Sequence, residues 1–386
     1  MLNDNRSSKQ KTIPIVAKVD VKHISPIINF EGSVPKYCIS IEGQRYYLKF
    51  DKPHYVFAEV LVSEIIAQTG MPVVRYGFVI EKDGDNYRTG TISEDYAMDV
   101  SYRGSLVSIA EKYCRLDSSD ITNCIYTTVP ASTKTIGVFA QKQSIKFDKA
   151  DKNQLKTELE CQVVADYFLC NGDHHMRNTE VLVSCLDIKK RLWLAPYFDL
   201  GNTLRTENAE MAFNFSDPVE GLTEREKRGD VSTIYARNIL KHFKSQYKTA
   251  EEIAKDPAFK LFKYFEDLSI SKEIFTLMNT ALGKYEYKND SQISDDNYNE
   301  MIENILPEFN KKLKTNLKMS DVYNMIGAFN YRREVMADEI AKDPILFDAY
   351  AQCVVETQYT SRAGLNPAVI EYNRKKSTEG SGEWGE

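Results

Sequence analysis

The stretch NGDHHMRNTEVLV, residues 171–183, decides how the rest of the chain is interpreted. It is a polar turn followed at once by an apolar run. Two of the protein's five histidines, His174 and His175, stand side by side in it, and histidine is a common metal ligand. The same turn places four residues between Asp173 and Asn178. The loop therefore offers two sites, a histidine-based metal site or a functional pair formed by Asp173 and Asn178.

The overall composition is that of an ordinary globular protein. The 386 residues can bury a large core, enough for two lobes or domains, and 42% of them are hydrophobic and 27% charged. A net charge of −6 and a pI near 5.6 argue against broad nucleic-acid binding. No apolar run approaches the roughly 18–20 residues that are needed to cross a bilayer. The composition thus favours a soluble protein without a membrane span.

Cysteine usage and the N-terminal sequence indicate a cytosolic protein. The seven cysteines are scattered, odd in number and without a CxxC pair, which fits reduced thiols better than a disulfide framework or a zinc site. The N-terminal stretch MLNDNRSSKQK has no apolar segment typical of a signal peptide. We therefore expect a cytoplasmic location where the protein is made, with delivery into a host cell as an open alternative.

The first part of the chain is predicted to form strands and one helix. Residues 36–41 and 46–50 flank a short Glu-Gly turn, which is typical of a hairpin. In the second strand Lys49 points to the face opposite its apolar neighbours, because side chains alternate along a strand. An amphipathic helix is predicted over 56–69, with apolar residues spaced three and four apart, and Gly70 ends it.

A second hairpin and a mostly helical remainder follow. The second hairpin crosses a Lys-Asp-Gly-Asp turn, and from about residue 97 the pattern turns helical. Beyond about residue 205 nearly all of the signal is helical. A buried helix leads directly into the quoted loop, and two strands come after it. These predicted elements are, in order, strands 73–80 and 87–93, helix 154–170, and strands 179–184 and 191–195.

Phosphoryl transfer from ATP needs few protein groups. A lysine holds phosphates, one carboxylate orients the attacking hydroxyl, and an amide and a second carboxylate hold magnesium. Asp173 and Asn178 have the spacing of a protein-kinase catalytic loop, and Asp199 follows 26 positions after Asp173 across two predicted strands. Upstream, Lys49 lies on a strand, and the next helix carries two glutamates that could hold it in place. This order and spacing favour phosphoryl transfer over a metal site at the histidine pair, which has no third ligand at a suitable spacing.

Five stretches of the chain carry a resemblance to one known family: GSVPKYCIS, YYLKF, AEVLVSEIIAQTGMPV, GDHHMRN and APYFDLGNT. They resemble the HipA-like serine/threonine kinases of bacteria, which share the phosphatidylinositol 3/4-kinase-like fold. The resemblance covers about residues 30–205, and the helical C-terminal part is similar only in character. We expect the chain to lack the small N-terminal domain of full-length HipA proteins, as in the shorter members that consist of the kinase core.

The resemblance implies which residues bind the nucleotide. In the family the helix glutamate stands eleven residues before the glycine that ends the helix, which selects Glu59 over Glu64 as the partner of the lysine. The segment after the second hairpin, 93–99, corresponds to the hinge between two lobes. The implied nucleotide-binding residues are the loop residues Gly32, Ser33 and Lys36, the phosphate-binding Lys49, and Ser93 and Asp95 of the hinge segment.

The same resemblance implies which residues of the quoted loop act in catalysis. Asp173 matches the carboxylate that orients the acceptor hydroxyl, and Asn178 and Asp199 match the two magnesium ligands. His175 matches a family histidine beside the nucleotide, whereas His174 is a departure from the family pattern. The catalytic set implied for this chain is therefore Asp173 together with Lys49 and Glu59, with ATP and Mg²⁺ as cofactors.

The fold expected from this resemblance is α+β and two-lobed, as in protein kinases. A strand-rich N-lobe would comprise residues 1–95, a mainly helical C-lobe 96–374, and a disordered Gly/Ser-rich tail 375–386. The expected activity is transfer of the γ-phosphate of ATP to Ser or Thr hydroxyls of a protein, including the enzyme itself. The substrate is not identified by the sequence, a regulatory protein partner stays open, and no sequence-specific nucleic acid is expected.

Three other functions remain open. A small-molecule phosphotransferase related to aminoglycoside or choline kinases has a similar loop, although such enzymes usually carry histidine where Asn171 stands. A lipid kinase shares the fold, but the acidic pI and the lack of an evident basic amphipathic helix argue against a membrane substrate. A non-catalytic kinase-like binding module usually loses the lysine or a metal carboxylate, and none is lost here.

Taken singly, each element also has a simpler explanation. Lys49 could be a solvated surface lysine, and Gly32 and Ser33 could form a plain turn. His174 and His175 could serve to pack and position the loop rather than to bind a ligand. The specific signal is the order and spacing of all the elements together.

The resemblance implies that Ser33, three residues before Lys36 in the phosphate loop, is autophosphorylated, because relatives can carry a phosphorylated serine there; the alternative is that Ser33 supplies a turn hydroxyl. A phosphate there would add about −1.5 to −2 charges beside the nucleotide phosphates and repel them. Mass spectrometry after incubation with magnesium and ATP should detect phospho-Ser33, and calorimetry should show weaker ATP binding by the Ser33→Glu variant. An active preparation whose Ser33 peptide stays unmodified would contradict this expectation.

Overall fold

The computed structural model describes most of the chain between residues 16 and 353. Several predicted features lie outside the described residues: Gly32, Ser33, Asp173, His175 and the tail 375–386. The described residues are 16–20, 25–26, 36–41, 44–83, 85–97, 100–114, 127–172, 174, 176–184, 190–205, 213–214, 231–284 and 293–353.

A six-stranded sheet occupies the first part of the chain. Its strand order is β1-β5-β6-β4-β3-β2, with β1 parallel to β5 and the other neighbours antiparallel. Both predicted hairpins are confirmed, as β3–β4 and β5–β6. The strands are β1 Val16–Asp20, β2 Ser25–Pro26, β3 Lys36–Ile41, β4 Gln44–Phe50, β5 Tyr76–Asp83 and β6 Asn86–Glu94.

The two faces of this sheet differ in the way that strand alternation predicts. Leu48 and Ile92 are fully buried in a small apolar cluster on one face. Lys49 points to the other face, against helix α1, Pro53–Gln68. The position of Lys49 therefore follows from the period of two along β4.

Helix α1 is buried on nearly all sides. The sequence predicted an amphipathic helix here, and that prediction is wrong. It begins at Pro53, because proline suits the first turn of a helix, and the left-handed Gly70 follows its C-cap as expected. The sheet covers one side, and helices from the second half of the chain cover the other. On this second side Phe309 meets Phe57 of the helix edge-on. It also meets Phe78 of β5, and the ring centroids are 5.7 Å apart in both pairs.

Strand β7 corrects the expectation that the chain turns helical from about residue 97. It pairs antiparallel with β9, and β9 pairs antiparallel with β10. Strands β9 and β10 are the two strands predicted after the quoted loop. Its sequence, VSYRGS, is only half-buried and shows no apolar alternation, so the pairing with β9 determines it rather than a local pattern. The remaining strands are β7 Val100–Ser105, β8 Thr127–Thr128, β9 Glu180–Ser184, β10 Leu192–Leu194 and β11 Phe213–Asn214.

Helices make up most of the second part, and the predicted α+β class is confirmed. The helix before the quoted loop starts earlier than predicted, because Asp148 caps it in a capping box with Asp151. Among the described residues no helix is long and apolar enough to span a membrane. The helices are α2 Leu106–Ile109, α3 Val129–Lys142, α4 Lys149–Phe168, α5 Val231–Gln246, α6 Ala250–Ala254, α7 Pro257–Asp267, α8 Ile270–Leu282, α9 Asp295–Leu313, α10 Met319–Ala341 and α11 Pro344–Gln352.

The Phe309 contact should contribute strongly to stability. Phe309 is 1% exposed and joins α9 to both α1 and the sheet. We expect Phe309→Ala to lower the free energy of unfolding by about 3–5 kcal/mol in chemical denaturation. The matched control is Phe347→Ala, at a side chain that is 54% exposed, which should change it by no more than about 0.5 kcal/mol. Equal losses in the two variants would contradict this view of the core.

Candidate active site

Lys49 stands between two carboxylates that are far apart in the sequence. Its Nζ lies 2.8 Å from Oδ1 of Asp199 and 3.5 Å from Oε1 of Glu59. Thr91, beside Lys49 on β6, donates its hydroxyl to Oε2 of Glu59 at 3.0 Å. The fold thus brings β4, α1 and the segment around Asp199 together at one ammonium group.

The charges of this cluster keep Lys49 protonated. Burial alone would lower the pKa of Lys49, but the negative charges of Glu59 and Asp199 outweigh it and hold that pKa above its ordinary value. Burial raises the pKa of Glu59, and the charge of Lys49 and the Thr91 hydrogen bond oppose that rise. A lysine that stays charged in a largely buried position is suited to hold an anionic group such as a phosphate.

The structure distinguishes the two glutamates of α1. Glu59 is buried and faces Lys49, whereas Glu64 faces away and accepts a hydrogen bond from Nε of Arg75 at 3.1 Å. The two residues are about 140° apart around an ideal helix, so they cannot face the same strand. Glu59 is therefore the glutamate that supports the lysine.

Asp199 is held in an unusual backbone conformation. Its φ is +60°, in the left-handed region that non-glycine residues seldom adopt. Its backbone N–H lies 3.3 Å from the hydroxyl of Tyr76, and the backbone of Tyr197 bonds to Pro72 and Val74 at 2.9 Å each. These bonds attach the segment to the chain between α1 and β5, which places the Asp199 carboxylate beside Lys49.

The nucleotide-binding residues predicted on the sheet lie around the same face. Lys36 stands directly opposite Lys49 in the β3–β4 pair, so both side chains project to the same side. Burial raises the pKa of Glu59, and the charge of Lys36, a smaller effect than that of Lys49, opposes that rise. Ser93 is two residues beyond Thr91 on β6 and is buried on that face. The sheet thus presents Lys36, Lys49 and Ser93 toward one region.

The side chain of Asp95 has a structural role at the end of β6. Its buried carboxylate pairs with Arg45 and accepts a hydrogen bond from the backbone of Ala97 at 3.0 Å. The next residue, Tyr96, donates its hydroxyl to Glu180 at 2.6 Å, and its ring stacks on Phe198 with centroids 5.9 Å apart. These contacts fix the predicted hinge segment against β9 and the residue before Asp199.

Asn171, His174 and Thr179 of the quoted loop belong to a buried polar network that the sequence did not predict. Both ring nitrogens of His174 have partners, Oδ2 of Asp166 at 2.5 Å and Oγ1 of Thr179 at 3.1 Å. Burial raises the pKa of Asp166, and His174 and Asn171 oppose that rise. The only sequence signal was an acidic residue inside the apolar run VVADYFLC, residues 163–170. The network consists of Asp166, Asn171, His174, Thr179 and Tyr197, all of them buried.

His174 is thus engaged in the packing expected as the alternative to a metal site, and His175 lies outside the described residues. The His174 ring is 1% exposed and engaged at both nitrogens. Within the described part of the chain, no group of three or more His, Cys, Asp or Glu side chains could hold a metal ion.

Asn178 and Asp199 have the chemistry that a magnesium ion prefers. One offers an amide oxygen and the other a carboxylate, and both are hard oxygen donors. Asn178 is half-buried, and the Asp199 side chain is 26% exposed, so both can be reached by a ligand. The donor chemistry of the two side chains fits a magnesium ion.

Comparison with solved structures gives many distant neighbours, two of which follow. No family model matches the chain, and no curated protein matches it. The fold is similar to the crystal structure of a Helicobacter pylori proinflammatory kinase, CtkA, with a TM-score of 0.42 and 15% identity over 83% of this chain and 98% of that one. It is also similar to a complex of HipA, HipB and operator DNA from a Shewanella oneidensis MR-1 toxin–antitoxin system, with a TM-score of 0.38 and 12% identity over 80% of this chain and 67% of that one. Both likenesses are distant, at TM-scores below 0.5.

Proposed function

We propose that this protein is an ATP-dependent kinase that transfers the γ-phosphate to a hydroxyl group, namely that of Ser or Thr in a protein, including its own chain. The observation that carries the proposal is the Lys49 ammonium held between Glu59 and Asp199. A phosphotransferase needs a fixed cation for the phosphates and a carboxylate for magnesium close to it. In this chain the two are in direct contact.

Each residue then has a defined task. Lys49 would hold phosphate oxygens, because its charge is maintained and its position is fixed by Glu59. Asn178 and Asp199 would hold magnesium, which neutralises the charge that develops on the phosphates. Asp173, five positions before Asn178, would orient the acceptor hydroxyl and accept its proton.

The choice of acceptor rests on the sequence resemblance. A small-molecule phosphotransferase or a lipid kinase would use the same charged groups, and these are the alternatives that a transfer experiment separates. A non-catalytic binding module is disfavoured, because the lysine and its supporting glutamate form an intact, largely buried pair.

The central experiment is transfer of labelled phosphate by Lys49→Met. Loss of the ammonium should lower transfer by about 10²–10³-fold, the effect of removing one group that stabilises developing charge. Labelled ATP and magnesium are incubated with the protein alone, with added protein substrates, and with small-molecule or lipid acceptors. The label should appear on Ser or Thr of proteins, this chain included.

The matched control for that experiment is Lys82→Met. Lys82 lies on β5 and its side chain is exposed, so the change removes the same charge away from the cluster and should leave transfer unchanged. A Lys49→Met variant that is folded and transfers as well as Lys82→Met would refute the proposal. If label appears only on small molecules or lipids, the acceptor is not a protein, and the protein-kinase part of the proposal fails.

The two glutamates of α1 give a second test. Glu59→Gln should lower transfer by about 10- to 100-fold, because Lys49 loses the partner that orients it. Glu64→Gln changes the same residue type on the same helix, at a side chain that bonds Arg75, and should have little effect on transfer. Steady-state kinetics measures the transfer rate of both variants. A larger loss in Glu64→Gln than in Glu59→Gln would show that the partner of Lys49 is misassigned.

A further inference from the structure

Asp166 is a fully buried carboxylate near the C-terminal end of α4. Its Oδ1 accepts a hydrogen bond from Nδ2 of Asn171 at 3.0 Å and another from the hydroxyl of Tyr197. Its Oδ2 faces Nδ1 of His174 at 2.5 Å. A buried carboxylate is stable only when such donors replace the lost water. Asp166 therefore holds three side chains in defined positions.

The three partners belong to the two segments that carry the proposed catalytic residues. Asn171 and His174 lie on either side of Asp173 in the sequence, and Tyr197 is two residues before Asp199. One carboxylate thus links the loop that bears the proposed base to the segment that bears the proposed metal ligand.

The partners are also linked to one another. Nδ2 of Asn171 lies 2.6 Å from the Tyr197 hydroxyl, which closes a ring of hydrogen bonds on Asp166. Nε2 of His174 lies 3.1 Å from Oγ1 of Thr179, the residue after Asn178. The network thereby extends to the second proposed metal ligand.

We propose that Asp166 is a positioning residue that sets the catalytic loop and the Asp199 segment relative to each other. This inference rests on the proposed function. Asp166 is buried, so it acts through its partners rather than on the substrate. Its loss should affect the chemical step, which depends on the distance between Asp173 and the metal ligands, more than nucleotide binding, which depends on Lys49.

The same helix offers a matched control. Glu160 is also buried on α4, and its Oε1 lies 2.7 Å from Nε2 of His242 and 3.3 Å from Nζ of Lys156. It resembles Asp166 in burial and in having a histidine partner, but its partners lie outside the catalytic loop. A purely structural role of buried carboxylates in α4 would make the two residues equivalent in kinetic assays.

The test compares Asp166→Asn with Glu160→Gln in steady-state phosphotransfer with magnesium and ATP. Asp166→Asn should lower kcat by about 10- to 100-fold, the usual effect of removing a group that orients a catalytic residue. It should change the KM for ATP by less than about threefold, the signature of a loss confined to the transition state. Glu160→Gln should keep the kcat of the folded protein, even if both variants melt at lower temperature. An unchanged kcat in folded Asp166→Asn would overturn the proposal.

A second measurement does not depend on activity. Hydrogen–deuterium exchange should become faster in both segments, 171–179 and 195–205, in Asp166→Asn and not in Glu160→Gln. Tyr197→Phe, which removes only the hydroxyl, replaces Asp166→Asn if that variant does not fold, and it should show the same changes in smaller degree. If the wild-type protein transfers no phosphate, the proposed function fails, and exchange alone then decides the role of Asp166. Faster exchange in both segments supports the linkage, and unchanged exchange overturns it.

Discussion

The contact of Lys49 with Glu59 and Asp199 is the interaction on which the rest of the site depends. Glu59 is buried. Removing a carboxylate from water costs on the order of several kcal/mol unless a nearby cation or hydrogen-bond donors compensate it. Lys49 supplies that charge, and Thr91 supplies a hydrogen bond. The cation proposed to hold phosphates therefore also compensates a buried carboxylate, and it contacts side chains from α1 and from the Asp199 segment.

Packing, more than the ion pair, sets the position of Glu59. The distance of 3.5 Å between Lys49 and Glu59 is long for a strong hydrogen bond. Helix α1, in contrast, is enclosed by the sheet and by the second half of the chain, where Phe309 meets Phe57 and the hydroxyl of Tyr264 bonds the backbone of Ile65 at 3.1 Å. A helix held on both sides brings its glutamate to the lysine without relying on the strength of that one bond.

The sequence predicted what depends on local periodicity and failed where partners are distant. Alternation along β4 was enough to orient Lys49, whereas choosing Glu59 over Glu64 needed a family resemblance, because both lie on one helix. Strand β7 was missed because its pairing with β9 joins residues about eighty positions apart. The Asp166 network was missed for the same reason, since Tyr197 is 31 positions away. An acidic residue inside an apolar run was its single local sign.

The segment from Tyr197 to Asp199 belongs to both charged clusters, and its backbone explains how. In an extended strand, residues two apart point to the same side. Here the Tyr197 hydroxyl meets Asp166 on α4, while the Asp199 carboxylate meets Lys49 on β4. The left-handed conformation of Asp199, which strands do not adopt, costs about 1–2 kcal/mol and turns its side chain away from the direction of Tyr197. This one residue therefore lets a three-residue segment contact both the Lys49 cluster and the Asp166 network.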